Sequence, residues 1–376
     1  MKELDTTFAA TCVLLLGAAV ATADDAPMYR LDGFVPVTGC VSVDLSPDGT
    51  QLVAKHVFGE WDEGFRIFDV THRLWDPADW PLIRECHVSG IPWKVRFDAD
   101  GKTVWTTVYY SGCVSGFDDE CGTTQDYSVG SWPVDLIVDD SRRFLCAGQG
   151  HPGGNGTTGS LRVIDLWTSG QTSVGLEGQG GFMAHAPMDR FLYMASTKAG
   201  NTWLYQFDSV DWSVAGVLPL DGITVDVGIS VHPDFTEIYV PSPATDEVLV
   251  VDANTLDIVD VLDIESPEGF FIAPSGDHAL VTHHDLSAVS FFDLATREVY
   301  AVFTEEEIGS TGGWKRRPLW EACGDRVFLP LGAVENSVAV FSSRCPGDFT
   351  GVGGKPDGQI DVLDLLSLLG AWGVCP

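Results

Sequence analysis

The chain has 376 residues, 45% of them hydrophobic, with 41 Gly and 20 Pro. That apolar share excludes a mostly disordered chain and allows a large core. Lys and Arg number 21 against 54 Asp and Glu, a formal net charge of −33. A surface this acidic repels phosphates and anionic lipid heads, so neither nucleic acid nor a membrane surface is expected as a partner.

Residues 8–23 (FAATCVLLLGAAVATA) are apolar and uncharged, follow Lys2, and end in the small-x-small triplet Ala21-Thr22-Ala23. The pattern predicts a signal peptide over residues 1–23, cut after Ala23. An uncleaved anchor is the alternative, kept open by Glu3 and Asp5, although the apolar core is short for a spanning helix. No later stretch reaches about 18 uncharged apolar residues, so no membrane span is expected after cleavage. The mature protein is expected to be secreted, periplasmic or on the cell surface.

Self-similarity dominates the next 300 or so residues. Residues 225–264 and 268–303 both read as strand, polar turn, strand, loop, strand ending in Asp, Thr-containing turn, strand. Turn markers recur at Asp48, Asp100, Asp140, Asp189, Asp234, Gly276 and Gly324. Aspartates closing an apolar strand recur at Asp69, Asp118, Asp165, Asp208, Asp252 and Asp293, and Phe341 takes that place in the last unit. Units of 40 to 50 residues built from four short strands predict a β-propeller, and seven turn markers predict seven blades. The fold class is therefore all-β. Residues 28–38 precede the first full unit and are expected to supply the outer strand of the last blade, so that 28–343 is one domain.

The motifs Ser46-Pro47-Asp48-Gly49 and Val250-Val251-Asp252-Ala253-Asn254-Thr255 resemble the YVTN family of bacterial β-propeller repeats; Ile238-Tyr239-Val240 echoes its naming strand. The resemblance implies the same seven-bladed fold. It does not select an activity, because propellers carry both binding surfaces and unrelated enzymes.

In a propeller, the loops between second and third strands open on one face beside the central channel. In chain order these carry His56, Glu60 and Asp62; Tyr109, Tyr110 and Asp118; His151 in a Gly-rich run; Lys198 and Asn201; Asp246; His283, His284 and Asp285; and Glu335 and Asn336. His56, His151 and His283, with an acid such as Asp285, are the speculative set for a transition metal at the channel mouth. Isolated polar loop residues are the favoured alternative, since nothing sequence-local links them. Asp118-Asp119-Glu120 has the residue types for glycosidase chemistry but reads better as a solvated acidic loop. Lys315-Arg316-Arg317, beside Trp314, offers an anion or sugar site, with local pairing to Glu305, Glu306 and Glu307 as the favoured reading.

Beyond Arg344 the composition changes. Asp357-Gly358-Gln359-Ile360-Asp361-Val362-Leu363-Asp364 fits positions 5 to 12 of a calcium loop, and Leu363, Leu366, Leu369 and Trp372 form a helical stripe behind it. Residues 345–376 resemble a single dockerin-type repeat. Carrying that pattern over makes Asp348, Thr350, Asp357, Gln359, Asp361 and Asp364 the calcium ligands. The insertion of Val352 to Pro356 and the presence of one repeat are departures from it.

Eight cysteines remain after the signal peptide: Cys40, Cys86, Cys113, Cys121, Cys146, Cys323, Cys345 and Cys375. An even count in an exported chain allows disulfides but leaves their connectivity open. Proximity in sequence suggests Cys113 with Cys121 and Cys345 with Cys375, and Cys146 reads as a buried thiol.

The expected function is an exported, non-enzymatic binding propeller. It takes a protein or glycan ligand on its loop face, and a calcium-binding tail attaches it to a cell-surface or scaffold partner. The alternative is an extracellular propeller enzyme, either a lactonase-like or carbohydrate-linked hydrolase or a metal-dependent oxidoreductase.

Overall fold

The computed structural model describes residues 29–343 except 60–61, 72–75, 131, 139–143, 150–158, 186–189, 226, 285–287, 310–315, 323 and 333–337. The expected signal peptide and the C-terminal ligand set of Asp348, Thr350, Asp357, Gln359, Asp361 and Asp364 lie outside the described residues, as do His151 and Asp285.

The described residues form seven four-stranded antiparallel sheets, one for each predicted repeat. Within a blade the strands follow chain order from the channel outwards. Blade one, for example, runs Val43–Leu45, Gln51–Gly59, Asp62–Asp69, Leu82–Val88. Blade seven is assembled from both ends of the domain. Leu319–Trp320, Arg326–Pro330 and Val338–Ser343 are completed by Tyr29–Val35, with Tyr29 opposite Ser343 and Val35 opposite Val338. The early segment expected to close the ring does so.

Strand residues alternate between two apolar cores rather than between core and water. Leu52 and Ala54 pack toward blade seven, whereas Val53 between them packs toward blade two. Tyr205 joins the core shared with blade three, and its neighbour Leu204 the one shared with blade five. Among the described residues seven such clusters appear, each straddling two adjacent blades, and the cluster holding Val43 and Phe328 closes blade seven onto blade one. A lone blade would expose both apolar faces, so the ring is the unit of stability.

The recurring aspartates have a common structural cause. Asp165 Oδ1 accepts from the backbone N–H groups of Trp167 and Thr168, and Asp252 Oδ1 from those of Asn254 and Thr255. Asp293 Oδ1 accepts from Thr296 N–H in the same way. Four residues after each of these aspartates, Ser169, Leu256 and Arg297 adopt φ near +60° and donate back to the aspartate carbonyl. Each is a turn pre-folded by a carboxylate, with the left-handed residue that lets a hairpin keep its twist. Part of the chain's acidity is therefore turn chemistry.

Among the described residues one disulfide joins Cys86, on the outer strand of blade one, to Cys121 in a turn of blade two, with a Cα–Cα distance of 5.3 Å. This corrects the pairing of Cys113 with Cys121 suggested by sequence proximity. Cys113 begins the strand Cys113–Phe117 and Cys121 lies beyond its far end, so the strand itself holds them apart. Cys40 and Cys113 are thiols. The Cys345–Cys375 pairing and the Cys146 side chain lie outside the described residues. No helix among the described residues is long and apolar enough to cross a membrane.

Candidate functional site at the central channel

Inner strands begin, and second-to-third-strand loops turn, at one end of the ring, the upper face. The aspartate turns lie at the other end. In blades two, three, four and six the inner strand carries a bulge near its upper start, at Pro92/Val95, Pro133/Asp135, Gln179/Phe182 and Pro267/Gly269. A bulge re-aims side chains that regular pleating would send into the cores. At the blade-two bulge Trp93 and Lys94 together oppose Thr107, whose hydroxyl accepts the Lys94 backbone N–H at 3.0 Å. Gly181 in the blade-four bulge leaves no room for a side chain, since a Cβ there would lie 1.3 Å from the Ala195 carbonyl oxygen.

The bulges gather charge around the channel. Lys94 Nζ stands 3.9 Å from Asp135 Oδ1, with both side chains almost fully buried. Burial pulls the Lys94 amine down to about 7 against the opposing pull of Asp135, and the guanidinium groups of Arg96, Arg317 and Arg316 push it the same way as burial. Asp135 is anchored by the backbone N–H groups of Leu136 at 2.9 Å and Met183 at 2.8 Å. Arg317, from the segment entering blade seven, donates to the Met183 carbonyl and stands 3.8 Å from Asp135 Oδ2. It thereby reaches across the channel to blades three and four. The pairing expected for this basic cluster with Glu305–Glu307 is not what Arg317 makes: its partners lie inside the ring.

Beside the upper mouth the rings of Trp93 and Tyr109 stack at 5.3 Å, and those of Tyr109 and Trp132 at 6.1 Å. Tyr110 meets Tyr109 edge-on at 5.1 Å and is 67% exposed. The Arg316 guanidinium covers Trp93 at 5.1 Å from the ring centre. Burial pulls the Arg316 pKa down, opposed by the charge of buried Glu268. The loop behind this shelf is fastened by its backbone: Tyr109 N–H donates to Ile91 O at 2.8 Å and Val129 N–H to Gly112 O at 2.9 Å. The shelf is thus a pre-organised apolar surface on a polar loop face.

Tyr109 and Tyr110 are brought to this site as their loop position predicts. Of the candidate histidines, His56 and His283 can be placed, and each is hydrogen-bonded locally. His56 Nδ1 accepts the Thr38 N–H at 2.9 Å within blade one, and its ring is buried. In blade six, His283 Nδ1 meets the Glu265 carbonyl at 2.7 Å and Nε2 the Ser290 hydroxyl at 2.8 Å. Both His283 nitrogens serve its own blade. Among the described residues no group of three or more His, Cys, Asp or Glu is placed to hold a metal ion.

Asp118 ends a third strand and so belongs to the lower face, where its Oδ1 accepts from the N–H groups of Glu120 and Gly122. This corrects its assignment to the loop face. Asn201 and Asp246 cap neighbouring upper loops through Gly222 N–H and Ser266 N–H. Asp62 pairs with His87 at 2.7 Å, while Glu60, Glu335 and Asn336 lie outside the described residues.

Trp93, Lys94, Trp132 and Asp135 went unnoticed in the sequence. A signal was present: Pro92-Trp93-Lys94 and Pro133-Val134-Asp135 each place a charge two residues after the proline that opens an apolar inner strand.

No family model matches the chain, and no curated protein matches it. Among solved structures it is similar to Kuenenia stuttgartiensis hydrazine synthase, at 14% sequence identity and a TM-score of 0.65, over 86% of this chain and 97% of that one. At that identity the likeness shows the seven-bladed propeller fold alone.

Proposed function

We propose that this chain is an exported binding propeller that takes a neutral glycan on its upper face. The supporting observation is the shelf of Trp93, Tyr109 and Trp132 with Tyr110 standing out beside it. Rings locked by stacking and by loop hydrogen bonds lose little entropy on binding, and the exposed Tyr110 ring held beside them suits the C–H face of a pyranose. The net charge of −33 disfavours sulfated or uronic polymers and leaves uncharged chains as the better partners.

Titration of the full chain with cello-, xylo-, manno- and malto-oligosaccharides tests this reading. Saturable binding of at least one series is expected, weakened at least tenfold by Tyr109→Ala and by Tyr110→Ala. No binding in any series, or binding that both variants leave unchanged, rejects it.

The repeats are read as YVTN-type, residues 1–23 as the export signal, and residues 345–376 as a dockerin-like calcium segment that attaches or sorts the propeller. The support is the ligand spacing around Asp357 to Asp364. Calcium titration of the full chain against its Asp364→Ala variant is the test, and equal calcium uptake by both rejects the ligand assignment.

A further inference from the structure

The channel holds a cavity of about 900 Å³, lined by Arg317 and by the lower ends of the inner strands from all seven blades. That is the size of a small-molecule site. Its walls are largely apolar, with Leu45, Phe97, Val138, Val231 and Phe271 among them. Two cations line it, Arg96 and Arg317, in a chain with only 21 Lys and Arg.

Both guanidinium groups are only partly used. Arg96 donates through one terminal nitrogen to the carbonyls of Val43 at 3.0 Å and Val95 at 3.3 Å. Arg317 donates through one terminal nitrogen to the carbonyl of Met183. The nearest carboxylate oxygens, on Asp44 and Asp135, stand 3.7 and 3.8 Å away, beyond hydrogen-bonding distance. Those carboxylates are already held by backbone amides: Asp44 by Phe97 N–H at 2.7 Å, Asp135 by Leu136 and Met183. Among the described residues, nothing accepts from Nε or from the second terminal nitrogen of either arginine. The side chains keep 19% and 22% of their surface exposed. A guanidinium fork with unspent donors, beside an apolar wall, matches the planar acceptor pair of a carboxylate.

We propose that the lower cavity binds an organic carboxylate, its charged end paired with Arg96 and Arg317 and its apolar body against Leu45, Phe97, Val231 and Phe271. Asp44, Asp98 and His185 also line the cavity. Three nearby carboxylates, Asp44, Asp98 and Asp135, favour a ligand with one negative charge over a phosphate with two. This site is separate from the upper shelf and does not depend on the glycan reading.

The test is calorimetric titration of the full chain at pH 7.5 and 0.15 M salt with hexanoate and cinnamate, with hexanol and cinnamyl alcohol as neutral counterparts, and with inorganic phosphate. One-site binding of at least one carboxylate is expected, at least tenfold tighter than its alcohol. Arg96→Gln and Arg317→Gln should each weaken it at least tenfold while unfolding cooperatively. Ala99→Phe, which crowds the cavity without altering either arginine, should abolish it and decides the matter if an arginine variant fails to fold. The proposal is overturned if neither carboxylate binds, if the alcohols bind as tightly, if phosphate alone binds, or if binding survives Ala99→Phe.

Discussion

Arg317, from the segment that enters the seventh blade, donates a hydrogen bond to the carbonyl of Met183 in the fourth. Those blades face each other across the ring, so one side chain reaches across the channel, where it also lines the cavity. Arg317 is also one of the positive charges that hold the Lys94 ammonium down near 7. Removing it lowers the cost of charging Lys94 and leaves Asp135 in place. The Lys94 side chain, followed by carbon-13 NMR of labelled lysine, should therefore titrate at higher pH in Arg317→Gln than in the parent. A midpoint that stays put or falls would show that burial alone sets it.

Ring closure rests on Tyr29. Its ring stacks on Phe291 of blade six at 4.2 Å, and its hydroxyl donates to the Gly324 carbonyl at 2.9 Å. Tyr29→Ala removes a buried aromatic and the first anchor of the closing strand. A loss of about 3–5 kcal/mol is expected by urea unfolding. Exposed Arg30, replaced by Ala, should change stability by less than about 0.5 kcal/mol.

Cys86 and Cys121 staple blade one to blade two across 35 positions of chain. A loop of that length gives a cross-link worth about 3–4 kcal/mol in the chain-entropy account. Cys86→Ser should therefore lower the thermal midpoint well below that of the parent. Cys113→Ser should leave it nearly unchanged. Peptide mapping without reductant should recover Cys86 and Cys121 in one linked fragment.

His56 predicts acid sensitivity. Burial, with the Arg66 and Lys55 charges, pulls its pKa down from 6.5 to about 4. Its Nδ1 accepts the Thr38 N–H, so a proton there breaks that bond. An unfolded chain binds this proton below pH 6.5, whereas the native chain resists until about pH 4. The stability contributed by the neutral ring is complete above pH 6.5 and is lost as pH falls toward 4, by at most about 3 kcal/mol. His56→Gln should flatten the stability curve in that window. An unaltered slope would place the acid sensitivity elsewhere.

The architecture was legible because it is written locally and seven times. Asp165, Asp252 and Asp293 each bond to amides two or three residues away, and such turns survive as spacing in the sequence. The closing strand was legible for the same reason, since residues 29–35 complete a unit that otherwise lacks its outer strand. The histidine set was less legible, because loop position gives a residue's face and not its partners, and His151 and Asp285 lie outside the described residues. His56 and His283 turned out to be hydrogen-bonded within their own blades.

Sequence alone therefore determined the strand order, the blade number and the turn chemistry, all of which depend on neighbours in the chain. Only the tertiary structure decided what meets at the channel. Lys94, Asp135 and Arg317 come from three blades and are separated by up to 223 positions in the chain. Ring closure and the inner-strand bulges bring them together, and neither leaves a local pattern. The same holds for the disulfide, where Cys121 passes over nearby Cys113 for Cys86 because a β-strand keeps its two ends apart while adjacent blades lie side by side.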